Sequence, residues 1–177
     1  MYEKTLTSKN VYRGRILDVD VLEVELETGR RSVREIVRHG VAVALIAKRS
    51  DGKFVFIRQF RKPVERVCFE IVAGNCDCDE DPAVAAVREL REETGYDVQR
   101  LEKLGRIFPS VGYCTERIDI FFAALGERGK PSFDDDERIE IVELTEEEMN
   151  QLIRNGEIED AKTLAAWMLY LSHKAEL

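Results

Sequence analysis

Long apolar runs are missing from this chain. No stretch approaches the roughly 18 apolar residues of a membrane span. The opening M-Y-E-K-T-L-T-S-K-N carries no apolar signal core either. A cytoplasmic location with no membrane partner is therefore expected. Histidine is scarce, with only His39 and His173. Two isolated histidines offer no pattern for a nucleophile–base triad, so both read as structural or exposed. A basic excess is also lacking: 27 Lys and Arg stand against 35 Asp and Glu, a net charge of −8. That balance argues against general nucleic-acid binding. An anionic substrate would have to be met by a bound metal and local arginines rather than by a global field. Cysteines number four, Cys68, Cys76, Cys78 and Cys114. One residue separates Cys76 from Cys78, whereas a structural zinc pair favours two to four. Free thiols in a reducing compartment are the better reading. Internal repeats and low-complexity tracts are absent.

What is present suits one globular domain, with room for a small appendage. The chain has 177 residues, 44% hydrophobic and 35% charged. Strand-like patterns dominate the first half. Residues 19–26 and 32–37 read as antiparallel strands about a turn at Thr28-Gly29. Residues 41–47 form a continuous apolar run, the mark of a buried strand. Asp51-Gly52 signals a hairpin, followed by alternation over 53–60. Residues 68–73 read as a short strand, as do 101–108, 118–125 and 139–144. Thr145 and Glu148 have capping-box spacing for a helix that ends near Asn155-Gly156. A last helix is expected from Asp160 or Thr163 to His173, with Leu164, Trp167, Met168 and Leu171 on its apolar stripe. Strands mixed with three helices suggest an α/β sandwich.

The most informative stretch is 74–96, G-N-C-D-C-D-E-D-P-A-V-A-A-V-R-E-L-R-E-E-T-G-Y. Asp81 is a suitable N-cap, Pro82 a suitable first helical residue, and Thr94-Gly95 a natural stop. A helix of roughly 20 Å over 82–94 follows. Ala83, Val87, Leu90 and Thr94 form its mostly apolar stripe. Glu89, Glu92 and Glu93 sit at i, i+3 and i+4 and share another face. Carboxylates that close repel unless something positive lies between them. Hard oxygen ligands of this kind suit Mg²⁺ or Mn²⁺. They also crowd the C-terminal half of the helix, where the macrodipole disfavours negative charge. A solvated acidic face is the plain alternative, but the glycine and arginine at fixed spacings favour the metal reading.

Gly74, Glu80, Arg88-Glu89-Leu90, Glu92-Glu93 and Gly95 together resemble the Nudix box, with Tyr96 where an aliphatic is usual. Further matches are Arg58-Gln59-Phe60-Arg61, Glu70-Ile71-Val72-Ala73-Gly74, Ser110-Val111-Gly112 through Glu116, and Asp160-Ala161-Lys162-Thr163. In this order they resemble the ADP-ribose and nucleoside diphosphate sugar pyrophosphatase branch across nearly the whole chain. The resemblance implies a Nudix α/β/α sandwich with a mixed sheet over 41–177, plus an N-terminal antiparallel β-region over 1–40 that packs across a homodimer. It implies metal ligands at the Ala73 carbonyl, Glu89 and Glu93. Glu92 would ligate a second metal or handle the attacking water. Arg88 would pair with an acidic group such as Glu80 to hold the loop. Arg34 and Arg61 would bind substrate, as would Ser110, Gly112 and Glu116. Guanidinium forks suit phosphate oxygens, and a surface ion pair is the alternative for each arginine. The run Asp134-Asp135-Asp136-Glu137 resembles the branch's acidic loop, with Glu137 first and Asp135 second as metal ligand or general base.

The implied activity is Mg²⁺- or Mn²⁺-dependent hydrolysis of the pyrophosphate in ADP-ribose or a related nucleoside diphosphate sugar. Water attacks one phosphorus in line and a carboxylate takes its proton. The products are a nucleoside monophosphate and a sugar phosphate. Val111 departs from the branch, which usually has proline there, while Pro109 lies two residues earlier. That opens GDP-mannose or ADP-glucose as preferred substrates. Val72 likewise replaces a usual proline. Tyr113 and Phe60 are candidates to stack on a base or ribose, with core packing the alternative for Phe60. A non-catalytic ADP-ribose sensor is the competing class, although such modules usually lose box carboxylates and none is lost here. A nucleoside triphosphate or dinucleoside polyphosphate substrate is disfavoured by the N-terminal region and the Arg58–Arg61 match.

Overall fold

A computed structural model describes residues 1–132 and 138–177. Asp134, Asp135, Asp136 and Glu137, the expected acidic loop, lie outside the described residues. The chain divides into two compact units, Met1–Val41 with Phe108–Arg117, and Ala42–Ile107 with Ile118–Leu177.

The first unit is a three-stranded antiparallel sheet in the order β1 (Glu3–Arg13), β2 (Asp18–Leu26) and β3 (Arg31–Arg38). Gly29, at φ 77°, makes the β2–β3 turn, a conformation that favours glycine. Strand β1 has no separate place in the sequence reading for a physical reason. All of its side chains are exposed except half-buried Leu6, so no apolar period marks it. The segment 108–117 docks on the end of β3. The Val37 amide donates to the Tyr113 carbonyl (2.7 Å), and the Thr115 amide donates to the Val37 carbonyl (2.9 Å).

The second unit is built on a mixed seven-stranded sheet in the order β10-β5-β4-β9-β8, with β6 on β5 and β7 on β4. Its strands are β4 (Val41–Lys48), β5 (Phe54–Arg61), β6 (Arg66–Glu70), β7 (Val72–Asn75), β8 (Tyr96–Ile107), β9 (Arg117–Arg128) and β10 (Ile139–Leu144). Its helices are α1 (Pro82–Thr94), α2 (Glu146–Arg154) and α3 (Ala161–His173). Alternation along β4 makes the layers. Ala42, Ala44 and Ile46 face one core with Trp167 and Tyr170 of α3 and Met149 of α2. Val43, Leu45 and Ala47 face a second core with Ala85, Ala86 and Leu90 of α1. A strand buried on both faces reads as a continuous apolar run, and this one does.

Helix α1 has the expected bounds and caps. The Ala83 amide donates to Asp81 Oδ1 (2.7 Å), and Gly95 closes the helix at φ 76°. The capping box of α2 is also formed. Three expectations need correction. Residues 68–73 are not one strand, because the pairing breaks at Ile71 between β6 and β7. The buried face of α3 is Thr163, Ala166, Trp167 and Tyr170, while Met168 is 66% exposed. A polar residue enters this core because its hydroxyl is satisfied: Thr163 Oγ1 donates to Asp160 (2.6 Å) and accepts the Ile71 amide (3.0 Å). On α1, Val87 is exposed, whereas Ala85, Ala86 and Glu93 are buried with Leu90 and Thr94. Two small alanines on this face let the helix axis approach the sheet.

Candidate active site

The carboxylates of the box stand on α1 and face the loop that leads out of β7. Arg88 stitches the two together. Its Nε and Nη2 donate to the two oxygens of Glu80 at 3.0 and 2.9 Å. Nη2 also donates to the Asn75 carbonyl (3.0 Å). Nη1 donates to Glu89 (2.8 Å) and Glu92 (3.1 Å). Glu80 in turn accepts the Asp77 amide (2.9 Å). The Arg88 guanidinium, with the Asp77 amide second, pulls the Glu80 carboxyl down to about 2. Arg88 is thus the loop-holding residue that the box implies, and Glu80 is its partner.

Glu89 lies directly against the backbone of Gly74. A β-carbon on residue 74 would overlap the Glu89 carboxyl group, so only glycine leaves room for it. Glu93 is 5% exposed and points into the protein, whereas the Glu92 side chain is 45% exposed. The donors that the sequence proposes for a metal are all hard oxygens. Gly74 leaves the space that the Glu89 carboxyl occupies, and Arg88 bonds that carboxyl at 2.8 Å. Among the described residues, no group of three or more His, Cys, Asp and Glu side chains is placed to hold a metal ion. A magnesium site asks for less, since this ion commonly takes one or two carboxylates together with substrate phosphates and water. The Ala73 carbonyl and the carboxylates of Glu89, Glu92 and Glu93 are oxygen donors of the type such a site uses.

Arg61 is held by a carboxylate that sequence reading assigned no role. Its Nε and Nη2 donate to Glu70 Oε1 (2.7 Å) and Oε2 (2.8 Å). Lys162 Nζ also donates to Glu70 and reaches Asp160 at 3.0 Å. Burial pushes the Glu70 carboxyl up, but Arg61 and Lys162 outweigh it and hold the group below the usual carboxylate range. Both Glu70 and Lys162 stand in stretches that the family resemblance singled out, so a signal was present. Their pairing across the chain was not visible in it. Phe60 is 51% exposed, which excludes the core packing considered for it.

The remaining candidates belong to the first unit. Arg34 is bound by Glu3 at 3.0 and 2.5 Å and also donates to Ser32 Oγ (2.8 Å). It borders a cavity of about 780 Å³ lined also by Val21, Val33, Val37, Gly112 and Tyr113. The Ser110 carbonyl accepts the amides of Tyr113 (3.3 Å) and Cys114 (3.0 Å), which closes a turn over 109–113. Pro109 sits at the start of that turn and Val111 is 83% exposed on it, so a turn forms without proline at 111. Glu116 lies 3.9 Å from His39 Nδ1.

Residues 38–167 match the family described as NUDIX domain, and residues 3–37 match the nucleoside diphosphate sugar hydrolase N-terminal domain. An ADP-ribose pyrophosphatase of Bacillus subtilis is 40% identical over 99% of this chain and 95% of its own. A methanol dehydrogenase activator of Bacillus methanolicus is 41% identical over 93% of this chain and 90% of its own. A GDP-mannose pyrophosphatase of Yersinia enterocolitica is 34% identical over 90% of this chain and 87% of its own. The crystal structure of an ADP compounds hydrolase superposes with a TM-score of 0.88 over 99% of this chain and 96% of its own, at 24% identity, and so shares the fold. A box helix locked to its loop by Arg88 and Glu80, in a chain matched end to end by these relatives, places the protein in the Nudix hydrolase family.

Proposed function

We propose that this protein hydrolyses the pyrophosphate of ADP-ribose or a related nucleoside diphosphate sugar, releasing a nucleoside monophosphate and a sugar phosphate. The observation that carries the reading is the Glu89 carboxylate, cradled on Gly74 and braced by Arg88, beside buried Glu93 on the same helix. Such an oxygen set suits a divalent cation, Mg²⁺ or Mn²⁺. When bound, that cation would neutralise phosphate charge and acidify the attacking water. The chain's own contributions are distinct. Glu89 and Glu93, with the Ala73 carbonyl, are the proposed ligands. Exposed Glu92 is a proposed proton acceptor, with Glu137 and Asp135 as further candidates. Arg61 offers a fork for phosphate oxygens. Arg34, Ser110, Gly112 and Glu116 are carried as substrate-binding candidates.

Incubation with Mg²⁺ and a panel of nucleoside diphosphate sugars tests the reading. Release of AMP from ADP-ribose supports it, and no monophosphate from any member of the panel defeats it. Val111 favours keeping GDP-mannose as a second substrate reading, in line with the name of the Yersinia relative, and the same panel decides between them. The valine-lined face of the first unit supports a homodimer. Light scattering that returns the mass of a single chain would exclude it.

A further inference from the structure

We infer that Glu70 is a positioning residue for substrate: it aims the Arg61 guanidinium, with Lys162 as a second cation on the same carboxylate, into one anion-accepting pocket. The inference rests on the proposed hydrolase reading. It goes further by naming the group that orients the phosphate-binding arginine.

Glu70 is 2% exposed and cannot serve as an ordinary surface partner. A buried carboxylate is costly unless it is paired and hydrogen-bonded. Here both oxygens are taken, in a two-point fork with Arg61 and by Lys162. The Arg61 side chain is 39% exposed, so the fork fixes one edge of the guanidinium and leaves the rest open. Its remaining N–H groups make no further hydrogen bond among the described residues, although the charges of Glu93 and Asp160 also act on it. Arg61, Arg66 and Lys162 line a cavity of about 450 Å³ together with Glu70, Glu159 and Asp160. Its cations are therefore offset by carboxylates, and the free edge of Arg61 is what an anion would meet in a space suited to part of a nucleotide.

The second cation is placed by a separate device. Asp160 caps α3 by accepting the Thr163 amide (3.0 Å), and the same oxygen accepts from Lys162. Thr163 then receives the Ile71 amide (3.0 Å), next to Glu70 in the chain. The helix start and the strand break therefore lock Glu70 and Lys162 into one frame. A guanidinium loses little freedom on binding when its plane is already set. Without Glu70, Arg61 keeps its charge but loses its aim.

The test is a double-mutant cycle on Glu70 and Arg61, read as ADP-ribose and GDP-mannose affinity by calorimetry in EDTA, so that no turnover interferes. Arg61→Ala should weaken binding about tenfold, and Glu70→Gln by several-fold to tenfold. The double variant should be no more than about twofold weaker than Arg61→Ala alone, because Glu70 acts through Arg61. A purely structural Glu70 would weaken both backgrounds equally, and that result overturns the inference, as does wild-type affinity in Glu70→Gln. In the Mg²⁺ assay the Glu70→Gln loss should fall on KM rather than kcat. If Glu70→Gln does not fold, Glu70→Gln/Lys162→Met removes opposite charges together. Measured against Lys162→Met, with and without Arg61→Ala, it reports the same coupling. Failure of the wild-type protein both to bind either ligand in EDTA and to hydrolyse it with Mg²⁺ would defeat the functional reading and this inference with it, whereas hydrolysis without metal-free binding would defeat this inference alone. Binding that depends on Arg61 but not on Glu70 would defeat this inference alone.

Discussion

Gly74→Ala separates the placement of Glu89, a proposed metal ligand, from the stability of the fold. Residue 74 does not adopt a positive φ, so alanine imposes no backbone strain there. The only obstacle is the Glu89 carboxyl group, which the new methyl would overlap. Carbon–carbon contacts settle near ~3.5 Å, so the carboxyl must retreat by more than about 1 Å. Glu89 is a flexible side chain and can make that move. Its retreat sacrifices the 2.8 Å bond from Arg88 and takes the oxygen beyond the roughly 0.5 Å tolerance of a working site. A displacement of this size costs on the order of 100-fold, about 2.7 kcal/mol of transition-state stabilisation. The expected outcome is kcat/KM on ADP-ribose or GDP-mannose down about 100-fold, with a melting temperature within a few degrees of wild type. Steady-state kinetics at saturating Mg²⁺, with a thermal melt on the same preparation, reads both. Unchanged kcat/KM would refute the cradle, and collapse of the fold would show that Gly74 serves stability instead.

Three further outcomes are expected. Glu93→Gln should lower turnover by orders of magnitude while circular dichroism stays native; wild-type activity would contradict its assignment as a ligand. Glu80 binds its proton less readily folded, at about 2, than in the unfolded chain, at about 4.3. Its pairing with Arg88 therefore contributes stability above about pH 4.3 that is lost as pH falls through about 2. Urea midpoints across that window should fall less steeply for Glu80→Gln than for wild type, and parallel curves would exclude the linkage. Tyr96 donates to Glu143 (3.2 Å), accepts from Arg49 (3.2 Å) and lies under Arg128, whose guanidinium carbon is 5.2 Å from the ring centroid. Tyr96→Phe should cost about 1 kcal/mol and 2–4 °C in melting temperature without touching activity. An unchanged melt would show that the hydroxyl contributes nothing.

Legibility followed the range of the interaction. Asp81, Pro82 and Gly95 marked both ends of α1 because caps act within a turn of the chain. Thr145 and Glu148 marked α2 for the same reason. Apolar period placed the core of β4 but misjudged the inward face of α3, where Thr163 goes in and Met168 stays out. That face is chosen by a hydroxyl bonded to Ile71, 92 residues away, and no local pattern encodes it. Strand β1 left no trace because its side chains are nearly all exposed.

For the site, spacing alone determined that Glu89 and Glu93 share a helix face, while the pairing of Arg88 with Glu80 was implied by the resemblance to the Nudix box. The reaction class was legible through the resemblance of the box to the Nudix family rather than through spacing by itself. Only the tertiary structure decided that Gly74 must be glycine, because the atom that excludes a side chain there belongs to Glu89 on another element. Only it paired Arg61 with Glu70 and brought Lys162 to the same carboxylate from 92 residues away. A buried carboxylate selects its cations by proximity in space, and separation along the chain does not constrain that choice.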